Sequence, residues 1–159
     1  MSEVVYGRVE GDGKGREYPV AADQYIHRLG GKFVYLNAGN VTMCASDATE
    51  VAGWANSPKC TTGYDSWKSS STAETDKIFV TYGMDDVYEM PFDQTTNASL
   101  AASLIGLSCD TVDTSTTYTL IQKARYHATA ASNLLDIVDV NTDNTTVLVK
   151  MKPTKRQNI

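Results

Sequence analysis

Histidine is scarce in this sequence: His27 and His127 are the only two in 159 residues. Any Ser-His or Cys-His device must recruit one of them, and neither sits in a recognisable catalytic signature. The three cysteines, Cys44, Cys60 and Cys109, are odd in number, widely spaced and form no CxxC pair. That pattern argues against a disulfide framework or a zinc knuckle and fits a reducing, intracellular origin. Positive charge is in deficit, with 14 Lys and Arg against 19 Asp and Glu, a net charge of -5. Such a balance repels phosphate backbones, so nucleic acid is not the expected partner. No apolar run approaches the roughly 20 residues that cross a bilayer as a helix. The opening MSEVVYGRVEGDGKGREYPV also lacks the basic start and apolar core of an export signal. No membrane association is expected, and the sequons at Asn40, Asn97 and Asn144 read as Thr-rich composition.

What the chain does contain is an ordinary globular balance, 42% hydrophobic and 21% charged residues, in the length of one domain. Residues 1–24, with Gly7, Gly11, Gly13 and Gly15 in a charged setting, read as an extended N-terminal arm. A domain over 25–152 follows. In it Lys32–Leu36 and Val41–Cys44 form a hairpin across the turn at 37–40. Glu50–Ala55 reads as a strand, where Gly53 marks a bulge or the close approach of another backbone and Trp54 a core position. Residues 57–75, rich in Ser, Thr and Gly, read as a long surface loop. KIFVTY, VYEMPF, TTYTLI, LLDIVDV and TVLVKM are further strand candidates, while Thr95–Gly106 has the caps and Ala/Leu content of the one short helix. Residues 153–159 form a basic tail. The fold class is all-β: a small β-barrel or sandwich of short antiparallel strands.

The stretches that imitate functional motifs fail on chemistry. GDGKGRE lacks the GK[ST] ending and the strand-to-helix setting of a phosphate loop. DVNTDN alternates Asp139, Asn141 and Asp143 like the start of a calcium loop, but Lys150 stands where the closing Glu belongs, so a polar hairpin turn is the better reading. The acidic residues Asp85, Asp86, Glu89, Asp93 and Asp110 cluster in the sequence, and two carboxylates could serve as acid and base, but Asp85 and Asp86 lie in a turn, where solvated side chains are the usual explanation, and no cleft is implied. No catalytic residue, cofactor or metal ligand is assigned. Tyr64 and Trp67, aromatics in a polar loop, are candidates either for partner contact or for covering one end of the barrel.

The stretches GGKFVYLNAGNVTMCASDATEVAGWANSP, YEMPFDQTTNASLAASLIGLSCDTV and LLDIVDVNTDNTTVLVKMKPTKRQ, in this order, resemble the decoration or cement proteins of tailed-bacteriophage capsids. The resemblance spans roughly residues 25–156. It implies a viral structural protein without enzymatic activity, made in the host cytoplasm and carried on the outer capsid surface of the virion. Its partners would be the assembled major capsid protein and other copies of itself, as a homotrimer. In that picture Val4, Val5, Tyr6 and Tyr18 of the arm order against a capsid subunit. Trp54, Tyr64 and Trp67 lie near the subunit boundary. Two other classes compete. A small β-barrel binding module would recognise carbohydrate or a host surface through Tyr64, Trp67 and the acidic stretch; a hydrolase would use one of the three cysteines with a histidine.

Overall fold

The computed structural model describes residues 6–45, 48–60, 65–94, 99–112, 121–128 and 133–159. Among them are thirteen strands: β1 (Gly7–Glu10), β2 (Gly15–Pro19), β3 (Tyr25–His27), β4 (Gly31–Asn37), β5 (Asn40–Met43), β6 (Gly53–Asn56), β7 (Ser66–Lys68), β8 (Lys77–Thr81), β9 (Val87–Pro91), β10 (Ser108–Val112), β11 (Lys123–Tyr126), β12 (Leu135–Asn141) and β13 (Thr146–Met151). They pair antiparallel in the orders β1-β9-β13-β12-β10-β11, β2-β8-β6-β4-β5 and β3-β7. The protein is all-β, as the pattern of short β-branched and aromatic runs leads one to expect.

Each of the two larger sheets closes on itself. In the N-terminal sheet the residue after β2, Val20, bridges in parallel to Val41 of β5, and the Ala21 N–H donates to the Val41 carbonyl at 3.0 Å. In the C-terminal sheet the residue after β9, Phe92, bridges in parallel to Ala124 of β11, and the Asp93 N–H donates to the Ala124 carbonyl at 2.8 Å. The expected single barrel is thus two five-stranded rings in tandem, β2-β8-β6-β4-β5 and β9-β13-β12-β10-β11, with β1 added outside β9.

The two rings are built to one plan. Labelled in chain order a to e, both run a-e-d-b-c and close from c back to a. Their registers coincide residue by residue: Tyr18 faces Ile78 as Met90 faces Val147, Ala55 faces Val80 as Ile137 faces Val149, and Val34 faces Met43 as Cys109 faces Tyr126. The inward positions match accordingly. Tyr18, Val20, Val34, Val41, Ala55, Ile78 and Val80 fill the first ring; Met90, Phe92, Cys109, Ala124, Ile137, Val147 and Val149 fill the second. Such alternation, one residue in and the next out, is what a half-buried strand requires.

The rings meet through aromatic residues. Phe33 and Trp54 point outward from the first ring and lie over Tyr88 in the mouth of the second. Trp54 and Tyr88 stack at 5.3 Å between centroids, while Phe33 meets both edge-on at 4.9 and 5.2 Å. All three are buried. The Tyr88 hydroxyl shares a hydrogen bond with Thr81 at 2.9 Å and donates to Asp86 at 3.3 Å, and Gln122 bonds the main chain of Phe33 in both directions, at 2.8 and 3.3 Å. These buried polar groups are satisfied, so the seam between the rings is packed like a core.

Several expectations change. The described part of the N-terminal arm is not a loose lead-in: β1 pairs with β9 and β2 with β8. The connection between them is held by a Gly13 N–H bond to Asp86 at 3.3 Å. Asp86 is therefore no solvated turn residue; it is 1% exposed and also takes the Tyr88 hydroxyl. Of the other clustered acids, Asp93 is buried against the Arg125 guanidinium at 3.0 Å. The basic tail docks, with Val51 bridging Arg156 and the Gln157 amide bonding both main-chain groups of Leu36 at 2.6 and 3.0 Å. The loop at 57–75 contains β7, which pairs with β3.

Of the helix expected over Thr95–Gly106, residues 95–98 lie outside the described set and only Ala102–Leu104 makes a 3-10 turn, flanked by extended Ala101 and Ile105. One turn is too short to repay helix nucleation. Leu104 is instead buried in the second ring's core and the Gly106 N–H bonds the Ile137 carbonyl at 2.8 Å. The strand expected at TTYTLI lies, but for Ile121, outside the described residues, and both expected hairpins form. The first hairpin turns on Ala38 and Gly39, both at positive φ (50° and 85°), as a tight two-residue turn requires. The residues imitating a calcium loop make the β12–β13 hairpin, whose Asn141 side chain accepts the Asn144 N–H at 3.2 Å.

Candidate interaction surface

The residues expected to touch a partner are mostly committed inside the fold. Trp54, 1% exposed, belongs to the aromatic seam, and its indole N–H bonds Asn56 at 3.1 Å. Tyr18 fills the first ring; its hydroxyl accepts from Arg16 at 2.7 Å, and that guanidinium lies over the ring. Both assignments as contact residues are corrected by their burial. Tyr6 is half-buried and its N–H donates to Leu29 at 2.7 Å. Desolvation, and then the nearby Glu89 carboxylate, raises its phenol pKa. Trp67 sits on β7 and packs against the first ring's core, so of its two readings covering the barrel prevails. Val4, Val5 and Tyr64 lie outside the described residues.

Two of the three cysteines that a hydrolase could draw on, Cys44 and Cys109, lie buried inside the fold. Burial, and then the carboxylates of Asp110 and Asp136, pushes the Cys109 thiol far above its ordinary range, which suppresses the nucleophilic thiolate. Cys60 is half-buried, with its sulfur 3.8 Å from the Ser57 hydroxyl. The His27 ring nitrogen Nδ1 accepts the Leu29 N–H at 3.2 Å, a local turn contact. A cavity of about 290 Å³ between Tyr35, Met43, Glu50 and Gln157 has neither a histidine nor a cysteine in its wall. Among the described residues no group of three or more His, Cys, Asp or Glu is placed to hold a metal ion, and no helix is long and apolar enough to cross a membrane.

Raising pH is expected to weaken the fold. Tyr88, like Cys109, has its pKa raised chiefly by burial. Both ionise to anions, so the folded state holds its protons more tightly than the unfolded chain, and stability falls with pH wherever the unfolded state binds fewer protons. The contribution is complete below the ordinary values of 9.0 for Cys109 and 10.0 for Tyr88 and declines above them. Urea denaturation at about pH 8 and about pH 10.5 should show the midpoint dropping, with a shallower drop in Cys109→Ala. Equal midpoints would show that these groups are reached by solvent.

No pattern in the sequence marks the apolar surface that the fold creates. Ile105, Leu107 and Val138 are 45%, 37% and 38% exposed. The fold gathers them: the Gly106 N–H bonds the Ile137 carbonyl at 2.8 Å and the Ile137 N–H bonds the Leu107 carbonyl at 2.9 Å. Val138 stands out because β12 slips register against β13 between Ile137 and Asp139, a bulge that re-aims one side chain. A contiguous exposed apolar group of this kind marks a contact surface far more often than a scattered one does. Phe79 on β8 is exposed on the first ring. Comparison with protein-family models, curated proteins and solved structures finds no match to this chain.

Proposed function

We propose that this chain is a structural protein of a tailed-bacteriophage virion, a decoration or cement protein that binds the outer surface of the assembled major capsid protein shell as a homotrimer and stabilises it. The observation that carries the reading is the exposed apolar group of Ile105, Leu107 and Val138, which the main-chain bonds between Gly106, Leu107 and Ile137 bring together. The resemblance in residues 25–156 supplies the partner. A ligand that binds only the assembled shell stabilises it by mass action, about 2.7 kcal/mol per site at a hundred times Kd, and requires no chemistry of its own. The glycan-binding alternative loses support because Trp67, one of the two aromatics of its sugar platform, packs on the first ring's core.

Co-sedimentation tests this directly. The purified protein should pellet with expanded shells and stay in the supernatant with unassembled capsid protein. Ile105→Ser combined with Leu107→Ser should weaken shell binding at least about tenfold, because a few central, desolvated residues carry most of the binding energy and truncating one of them costs about 2 kcal/mol or more. Equal binding to assembled and unassembled subunits would defeat the proposal.

A further inference from the structure

The internal repeat shows where a strand is missing. In the second ring the outer edge of β9 is covered by β1, with Gly7 facing Glu89 and Arg8 facing Tyr88. In the first ring the register-equivalent strand is β2, where Glu17 stands in the place of Glu89 and Pro19 in that of Pro91. Among the described residues β2 has one ladder partner, β8, and meets β5 only at the residue that follows it.

The direction of the main-chain groups follows from the flanking bonds. The Lys14 carbonyl accepts the Tyr82 N–H at 2.8 Å and the Val20 N–H donates to the Asp76 carbonyl at 2.9 Å. Even-numbered residues of β2 therefore turn their main-chain groups to β8. In an antiparallel ladder the alternate residues point the other way, so the N–H and carbonyl groups of Gly15 and Glu17 face the outer edge. Arg16 and Glu17 are exposed.

Charge decides the class of occupant. If two copies paired edge to edge through Gly15 and Glu17, each twofold register would set Glu17 against Glu17, Arg16 against Arg16, or Arg16 against Lys14. Like charges directly opposite destabilise a ladder, so the edge is guarded against its own kind. The Arg16 guanidinium is already engaged with Tyr18, which leaves the Glu17 carboxylate as the charge presented outward. The internal template agrees: β1 brings a cation, Arg8, beside the residue opposite Glu89.

We infer that the outer edge of β2, centred on Glu17, is a strand-acceptor site that an extended, basic strand of the shell subunit occupies antiparallel, as β1 occupies β9. The identity of the donor rests on the function proposed above; the open slot rests on the internal repeat alone. With the apolar group on one ring and the strand slot on the other, one molecule offers two separate attachment sites, which is what a protein bridging adjacent subunits needs.

Amide exchange on the whole protein, free and on expanded shells, tests the slot. In the free protein the Gly15 and Glu17 amides should exchange at least about a hundredfold faster than those of Arg16 and Tyr18, and on the shell the Glu17 amide should slow at least about tenfold. Glu17→Pro removes the outward N–H together with the outward carboxylate and leaves the β2–β8 hydrogen bonds of Arg16 and Tyr18 in place, so it should still fold while binding shells at least about tenfold more weakly. Should that variant misfold, Glu17→Lys keeps the amide, reverses the charge and should weaken binding in a salt-dependent way. A protected Glu17 amide in the free protein overturns the inference, as does wild-type binding by both variants. Failure of the wild type to pellet with any shell overturns the function and this occupant together.

Discussion

Replacing Trp54 by alanine should lower the unfolding free energy by about 3–5 kcal/mol, the range for deleting a large buried aromatic side chain. Two effects combine at this position. The indole is fully buried, and it is the only one of the three seam aromatics that stacks on Tyr88 from the other ring, at 5.3 Å. Aromatic pairs add roughly 0.5–1.5 kcal/mol beyond area burial. Relaxation into the vacated space is restricted, because β6 is bonded to β4 on one side and β8 on the other. Urea denaturation followed by far-ultraviolet dichroism gives the value. Since the seam is where the rings meet, the variant should also separate into two transitions when near-ultraviolet and far-ultraviolet signals are compared. A loss below about 1 kcal/mol would mean that β1 and the main-chain connections hold the rings together without the seam.

Gly53→Ala should cost about 3 kcal/mol, at the upper end for inserting a methyl group into a packed core. A Cβ there would lie 2.2 Å from the Thr81 carbonyl oxygen and 2.7 Å from a Val80 methyl. The first obstacle is main chain of a paired strand, which cannot rotate aside as a side chain does. Gly39→Ala is the contrast. Its Cβ would meet nothing within 4 Å, but φ is +85° in the hairpin turn, so the cost is the left-handed penalty alone, about 1–2 kcal/mol. Thermal or urea melts of the two variants side by side should rank Gly53→Ala as the more damaging. The reverse order would show that β6 and β8 separate easily.

The close approach at Gly53 and the core place of Trp54 were both legible in VAGWA, because a glycine and a large aromatic inside an apolar run have few other uses. The first hairpin and the β12–β13 hairpin were legible for a similar reason: turn residues with a tolerance for positive φ separate alternating strands. The internal repeat was not. Only scattered positions agree between the rings, such as Glu17 with Glu89, Pro19 with Pro91 and Val80 with Val149. The linkers also differ: β6 reaches β8 through a segment that carries β7, whereas β12 reaches β13 by a tight turn. An inward position asks only for an apolar residue of fitting size, so two rings of one topology need share little sequence.

The contact surface was illegible for a different reason. Ile105 and Leu107 lie in an Ala/Leu-rich run whose local preference is helical, and the preference lost to the burial of Leu104 and the pairing of Gly106 with β12. The bulge that exposes Val138 is likewise a property of the pairing with β13 rather than of LLDIVDV.

By itself the sequence determined an all-β chain, its main hairpins and a core drawn from alternating apolar residues, since these depend on contacts and conformations a few residues long. Only the tertiary structure decided that there are two rings rather than one, that the described part of the N-terminal segment and the basic tail are woven into them, and that Asp86 and Asp93 are buried. Those outcomes depend on which strands meet across long stretches of chain, where pairing geometry and packing outweigh local preference.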